Sequence, residues 1–168
     1  MFLKRLKLFF LVTTLLASVF LISSWYKTYQ FENNPLDVKI LKKIKIKQYE
    51  LQTLAYKKFG VSRKIPVLVS NKMPSSLYGA ATFSKENEIK IYLNKKRFKE
   101  SSDYMLDNVL PHEYAHALMF AINDFTKQNA GHSLKWQKIC IALNGLKCDR
   151  FVKEDDIIIG KTNFFGKN

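Results

Sequence analysis

Histidine and cysteine are scarce in this chain: there are three and two among 168 residues. Two cysteines cannot complete a metal site alone, so any such site must draw on other residues. Cys140 and Cys148 are separated by a helical stretch and a turn signal at Gly145. That spacing lets the chain fold back into a disulfide in an oxidising compartment; Cys140 as a buried apolar thiol is the alternative. Acid is the second shortage. Asp and Glu total 14 against 28 Lys and Arg, giving a net charge of +14. One reading is a solvated, lysine-rich surface, and the other is an anionic partner, either acidic lipid or nucleic acid. A hydrophobic fraction of 47% is enough for a core and excludes wholesale disorder. The length suits one compact domain plus an appendage.

Charge is absent altogether from LFFLVTTLLASVFLISSWY, residues 8 to 26. An apolar helix of about 20 residues spans the hydrocarbon core of a bilayer. Trp25 and Tyr26 close the run, where aromatic rings favour the membrane interface. No polar face exists in it, which argues against a soluble core helix. A cleaved secretory signal would need small residues before its cleavage point, and Leu21 and Ile22 are poor ones. No cysteine is present for a lipoprotein anchor. The run reads as an uncleaved N-terminal anchor. Lys4, Arg5 and Lys7 favour a cytoplasmic N-terminus, although Lys39, Lys42, Lys43, Lys45 and Lys47 oppose that bias. Long domains translocate largely regardless of charge, so the domain is expected outside the cytoplasm, in the periplasm or beyond. The three flanking basic residues leave +11 of the +14 for residues 27–168.

The expected organisation is an anchor over 1–26, a linker over 27–37 and one domain over 38–168. Asn34 and Pro35 offer the start of a helix that runs to about Phe59 and stops at Gly60. Strands are expected at 66–70, 77–84 and 88–94, the last two as a hairpin. Gly79 inside a strand weakens it or lets another backbone approach closely. Ser101, Ser102 and Asp103 can cap a helix to about Ile122, with a kink or fresh start at Pro111. A second helix is expected from His132 to a stop at Gly145.

One apolar helical stretch, VLPHEYAHALMF at 109–120, carries polar residues that need a reason to be there. His112 and His116 are four apart, so their rings share one helix face. Two imidazoles there can bind one tetrahedral Zn²⁺, and Glu113 on the adjacent side can act as general base to a water. A catalytic zinc usually takes a third protein ligand. The longer pattern with a histidine six residues on fails, since Ile122 holds that place. Asp124 and Glu154 are candidates; His132, the remaining histidine, directly after Gly131, is the better one.

HEYAHALMF, followed by GHSLKW and ICIALNG, resembles the SprT-like zinc metallopeptidases, which are related to the Spartan protease domain. The resemblance covers about residues 38–146 and is specific over 112–145. It implies a small zincin-like α+β domain with a short three-stranded sheet and an active-site helix. It further implies one zinc held by His112, His116 and His132, with Glu113 as the base. Gly131, His132 and Trp136 match the family's second motif. The chain departs from many members in lacking a four-cysteine zinc ribbon and in carrying an apparent anchor. Protein or peptide is the implied substrate. Tyr78, Tyr104 and Tyr114 are candidate oxyanion donors, with a packing role as the alternative for each. Two other readings stay open: a cytoplasm-facing protease acting on DNA-bound proteins, its basic domain supplying nucleic-acid affinity, and a zinc-stabilised binding module without turnover.

Overall fold

The computed structural model describes residues 2–124 and 131–149. The chain divides into two compact units, Met1–Pro35 and Leu36–Asn168. The first is one helix, α1 (Phe2–Asn33), with no buried residue. It runs through the expected linker. Residues 27–33 contain no Gly or Pro to end a helix, and i,i+4 pairs hold the extension. Trp25 stacks on Tyr29 with centroids 5.6 Å apart, and Gln30 Nε2 donates to the Tyr26 hydroxyl at 2.7 Å. The helix stops just ahead of Asn34-Pro35, where the residue before a proline disfavours helical geometry.

In the second unit, α2 (Val38–Phe59) starts later than expected. Asp37, not Asn34, is its cap, accepting from the Lys39 amide at 2.7 Å. Ile44, Leu51 and Ala55 form its buried stripe, and Gly60 ends it in a left-handed conformation at φ 68°. The sheet follows in the order β1-β3-β2, from β1 (Val67–Ser70), β2 (Gly79–Phe83) and β3 (Ile89–Asn94). The expected hairpin forms: β2 and β3 are antiparallel, with Ala81 opposite Ile91. β1 lies parallel to β3 on its other side. Ile89, Ile91 and Leu93 of the central strand are buried, as the period-2 alternation requires. Asn94 is fully buried, and its Nδ2 donates to the carbonyls of Pro74 (2.9 Å) and Leu77 (2.7 Å). Those bonds pin the loop that delivers the chain into β2.

After two short helices, α3 (Lys95–Phe98) and α4 (Ser102–Tyr104), the chain forms a π-helical turn over Met105–Val109. It leads directly into α5 (Leu110–Ala121). The Leu110 amide reaches back five residues to the Met105 carbonyl. Pro111 supplies the cause: it has no N–H to donate and its ring crowds the carbonyl four residues earlier. The helix therefore restarts where the sequence placed its break. α5 buries Leu110, Tyr114, Ala115, Ala117, Leu118 and Met119. It packs on β2, β3, α2 and α6 (Leu134–Ala142). The architecture is α+β with one small three-stranded sheet and one apolar N-terminal helix, as expected.

The start of α6 differs from expectation. His132 precedes the helix, and Ser133 caps it by accepting from the Trp136 amide at 3.2 Å. The stop also differs. Asn144, not Gly145, takes the left-handed position at φ 59°. Gly145 is needed for space instead: a Cβ there would lie 2.8 Å from the Cys140 sulfur and 3.0 Å from that of Cys148. Those two cysteines form the disulfide, with Cα atoms 5.7 Å apart.

Candidate metal centre

Helical spacing brings His112 and His116 onto one side of α5, their ring centroids 5.1 Å apart. The third ring comes from the segment before α6. Gly131 turns that segment at φ 70°, a conformation glycine adopts without strain. His132 Nε2 then lies 2.9 Å from His112 Nε2 and 3.2 Å from His116 Nε2. Three imidazole nitrogens converging this closely are a metal-ligand arrangement. A tetrahedral zinc with bonds of 2.0–2.1 Å sets its ligand atoms roughly 3.3 Å apart, close to what these residues offer. The three side chains can hold a metal ion.

Trp136 backs the site. It is fully buried, and its ring centroid lies 4.6, 4.9 and 4.5 Å from those of His112, His116 and His132. One aromatic body touches all three rings, so Trp136 packs against the whole donor set. The apolar surroundings disfavour the charged imidazoles. Burial, reinforced by neighbouring histidines, lowers the His112 pKa to about 4 and that of His116 to about 3. Both rings are therefore neutral at physiological pH, the state in which nitrogen can bind metal.

Glu113 points the other way round α5, against the sheet, and is only 9% exposed. Its Oε2 accepts from the Ala81 amide of β2 at 3.0 Å. Burial raises its pKa to about 7, and the Ala81 hydrogen bond opposes that rise. A carboxyl poised near neutrality is suited to take and return a proton. Gly79 makes the fit possible. A Cβ there would meet Glu113 Cγ at 2.7 Å and Oε1 at 3.1 Å. The glycine in this strand does admit a close approach, by the Glu113 side chain rather than by a backbone. A glycine inside a strand pattern hinted at a close approach, but not at its partner.

The other candidates are engaged elsewhere. The Tyr114 hydroxyl donates to Gln52 Oε1 on α2 at 2.9 Å. Tyr78 and Tyr104 pack edge to face, and the Arg97 guanidinium sits 4.2 Å above the Tyr78 ring. Asp124 pairs with Lys135. Glu154 lies outside the described residues. Sequence comparison agrees with the geometry: the SprT-like family model matches residues 45–155. Searches of curated proteins and of solved structures found no match. With three convergent histidines inside a match spanning most of the chain, this protein belongs to the SprT-like family and carries a metallopeptidase-like domain.

Proposed function

We propose that the protein is a membrane-anchored zinc metallopeptidase in which His112, His116 and His132 hold one zinc and Glu113 is the general base. The observation that carries this reading is the convergence of three Nε2 atoms, with a buried carboxyl at the residue that follows His112 on the same helix. Zinc bound there would lower the pKa of a water towards 7 and polarise a peptide carbonyl. Glu113 would take the proton and deliver it to the leaving amine. Trp136 would keep the three rings in place and exclude water from behind them.

Protein or peptide substrate fits the free edge of β2. Asn94 donates to the Tyr78 carbonyl and Ser84 to that of Glu88, so the even-numbered residues of β2 face β3. Gly79 and Ala81 therefore turn their backbone groups away from β3; the Ala81 N–H is held by Glu113 Oε2, which leaves the carbonyls of this edge to meet a strand. An extended peptide can add there as a strand, next to Glu113, with recognition mainly through main chain. For the anchor, α1 contains an 18-residue window of mean hydropathy 2.2, long and apolar enough to cross a membrane. A disulfide in the domain favours an oxidising location outside the cytoplasm, against the cytoplasmic, DNA-associated alternative.

Glu113→Gln tests the catalytic assignment. Gln keeps size and can hydrogen-bond, but cannot accept the proton. Hydrolysis of an unfolded protein such as casein should fall by about 10²–10⁴ or more, with zinc content unchanged. Equal cleavage by variant and wild type would sink the assignment. Absence of cleavage by either, across substrates and metals, favours the binding module.

A further inference from the structure

α2 carries seven lysines and one glutamate, and the fold sorts them by direction. Lysines near the domain are partnered. Lys43 pairs with Asp103 at 3.1 Å, and Lys47 with Glu50 and Asp107 at 3.3 Å. Lys58 donates to the Ala142 carbonyl at 2.6 Å. Lys39, Lys42, Lys45 and Lys57 are exposed and make no ion pair among the described residues. They lie away from the stripe of Ile44, Leu51 and Ala55, Lys45 at its flank and the others further round. Large apolar and aromatic side chains sit among them: Val38 is 78% exposed, Tyr49 75%, Tyr56 62% and Ile46 59%. Val38, Lys42, Lys45, Tyr49 and Tyr56 recur at steps of four, three, four and seven, which is one continuous helical face.

A merely solvated face would not need four large apolar groups in water. Lysines interleaved with tyrosine and aliphatic residues form the composition that settles helices in a headgroup layer. Cations meet lipid phosphates, and apolar side chains reach the acyl boundary. Glu50, the one acid of α2, is already committed to Lys47. Connectivity supplies the second argument. Only residues 34–37 separate α1 from α2, a reach of at most about 18 Å. If α1 spans a bilayer up to Tyr26, residues 27–33 add about 10 Å of helix, and α2 begins within about 30 Å of the surface.

We infer that the outer face of α2 docks on the anionic headgroups of the membrane that α1 enters. The inference rests on the anchor reading above. Its effect would be to restrain the domain at the surface and limit the substrates it reaches.

The full chain reconstituted into vesicles tests this. Vesicles of phosphatidylcholine alone are compared with phosphatidylcholine mixed with phosphatidylglycerol. Lysine acetylation rates are read residue by residue, with exposed Lys72 and Lys85 as internal controls. Anionic vesicles should slow modification of Lys39, Lys42, Lys45 and Lys57 by roughly fivefold or more, reversed by high salt. Replacing Lys39 and Lys42 by Gln should return Lys45 and Lys57 towards the rate in neutral vesicles. These exposed positions do not support the fold. Equal rates in the two vesicles overturn the inference. So does protection by added duplex DNA that anionic lipid fails to reproduce. Flotation after alkaline washing separates the two readings. A chain that floats with unprotected lysines loses only the docking; a chain that does not float loses the anchor and the docking together.

Discussion

α1 and α5 are both apolar helices, and they are apolar for different reasons. α1 exposes every large side chain of its apolar run, residues 8–26: Leu16 is 65% exposed and Phe20 73%. α5 hides them, with Leu118 and Tyr114 fully buried. The apolar run of the one helix, residues 8–26, carries no charged residue. The other carries His112, Glu113 and His116 at positions set by the metal-ligand geometry. Apolar composition alone does not say whether the intended surroundings are lipid or protein. The polar residues that interrupt it do.

A matched pair of substitutions gives the largest separation between them. Leu118→Arg buries an unpaired charge in the domain core and should cost more than about 4 kcal/mol, unfolding the domain and abolishing metal binding. Leu16→Arg should leave the domain's metal content intact while opposing insertion by about 2.5–3.5 kcal/mol, seen as loss of the chain from washed membranes. If Leu16→Arg also unfolded the domain, α1 would be a core helix and the contrast would collapse.

The next effect concerns the ligand that α5 does not supply. His132→Ala removes one of three donors, so the loss in zinc affinity should exceed the roughly 10–100-fold typical of removing a group outside the ligand set. Zinc titration of the purified chain reads it directly. Unchanged stoichiometry and affinity would take His132 out of the site.

Much of this centre is legible in the sequence. The spacing of His112 and His116 is a property of the helix period, and Gly131-His132 stood out because no other histidine remained. The sheet was legible from alternation in Ile89, Ile91 and Leu93. What could not be read is what depends on non-local contact. Nothing in residues 27–33 signals that they continue α1 except the absence of a breaker. Asp37 and Asn34 are equally good caps until burial of Ile44 fixes the helix phase. Gly145 looks like a helix stop, yet its role is to clear two sulfurs. The contact between Gly79 and Glu113 joins residues 34 positions apart and leaves no local trace.

That contact can itself be probed. Gly79→Ala places a methyl group where Glu113 Cγ stands, 2.7 Å away. Overpacking of this kind typically costs about 1–3 kcal/mol, and it should also displace the carboxyl from the Ala81 amide and slow hydrolysis. In a Glu113→Ala background only Val109 Cγ1, 3.1 Å away, still crowds the same methyl group, so the stability cost should fall. A cost that persists undiminished there would assign it to the strand and not to Glu113.

The smallest expected effect is a pH dependence of the metal-free protein, and it has two opposing parts. His112 and His116 have folded pKa values of about 4 and about 3, below the ordinary 6.5. Below pH 6.5 the unfolded chain takes up protons that the fold refuses, so their contribution is complete above that pH and is lost as pH falls. Glu113 runs the other way. Its pKa rises from 4.5 to about 7, so the fold holds the extra proton, and the stability tied to it fades as pH rises through that window. Glu113→Gln removes only the second part. A shift of this size bounds the gain at roughly 3 kcal/mol, and a weaker hydrogen bond from Ala81 to Gln takes some of it back, leaving about 1–2 kcal/mol. Chemical denaturation of the metal-free wild type and variant should therefore give similar stabilities near pH 4.5. The variant should pull ahead by pH 8. A gap of constant size across that range would mean that Glu113 does not titrate within the fold, and that the buried carboxyl is ionised throughout.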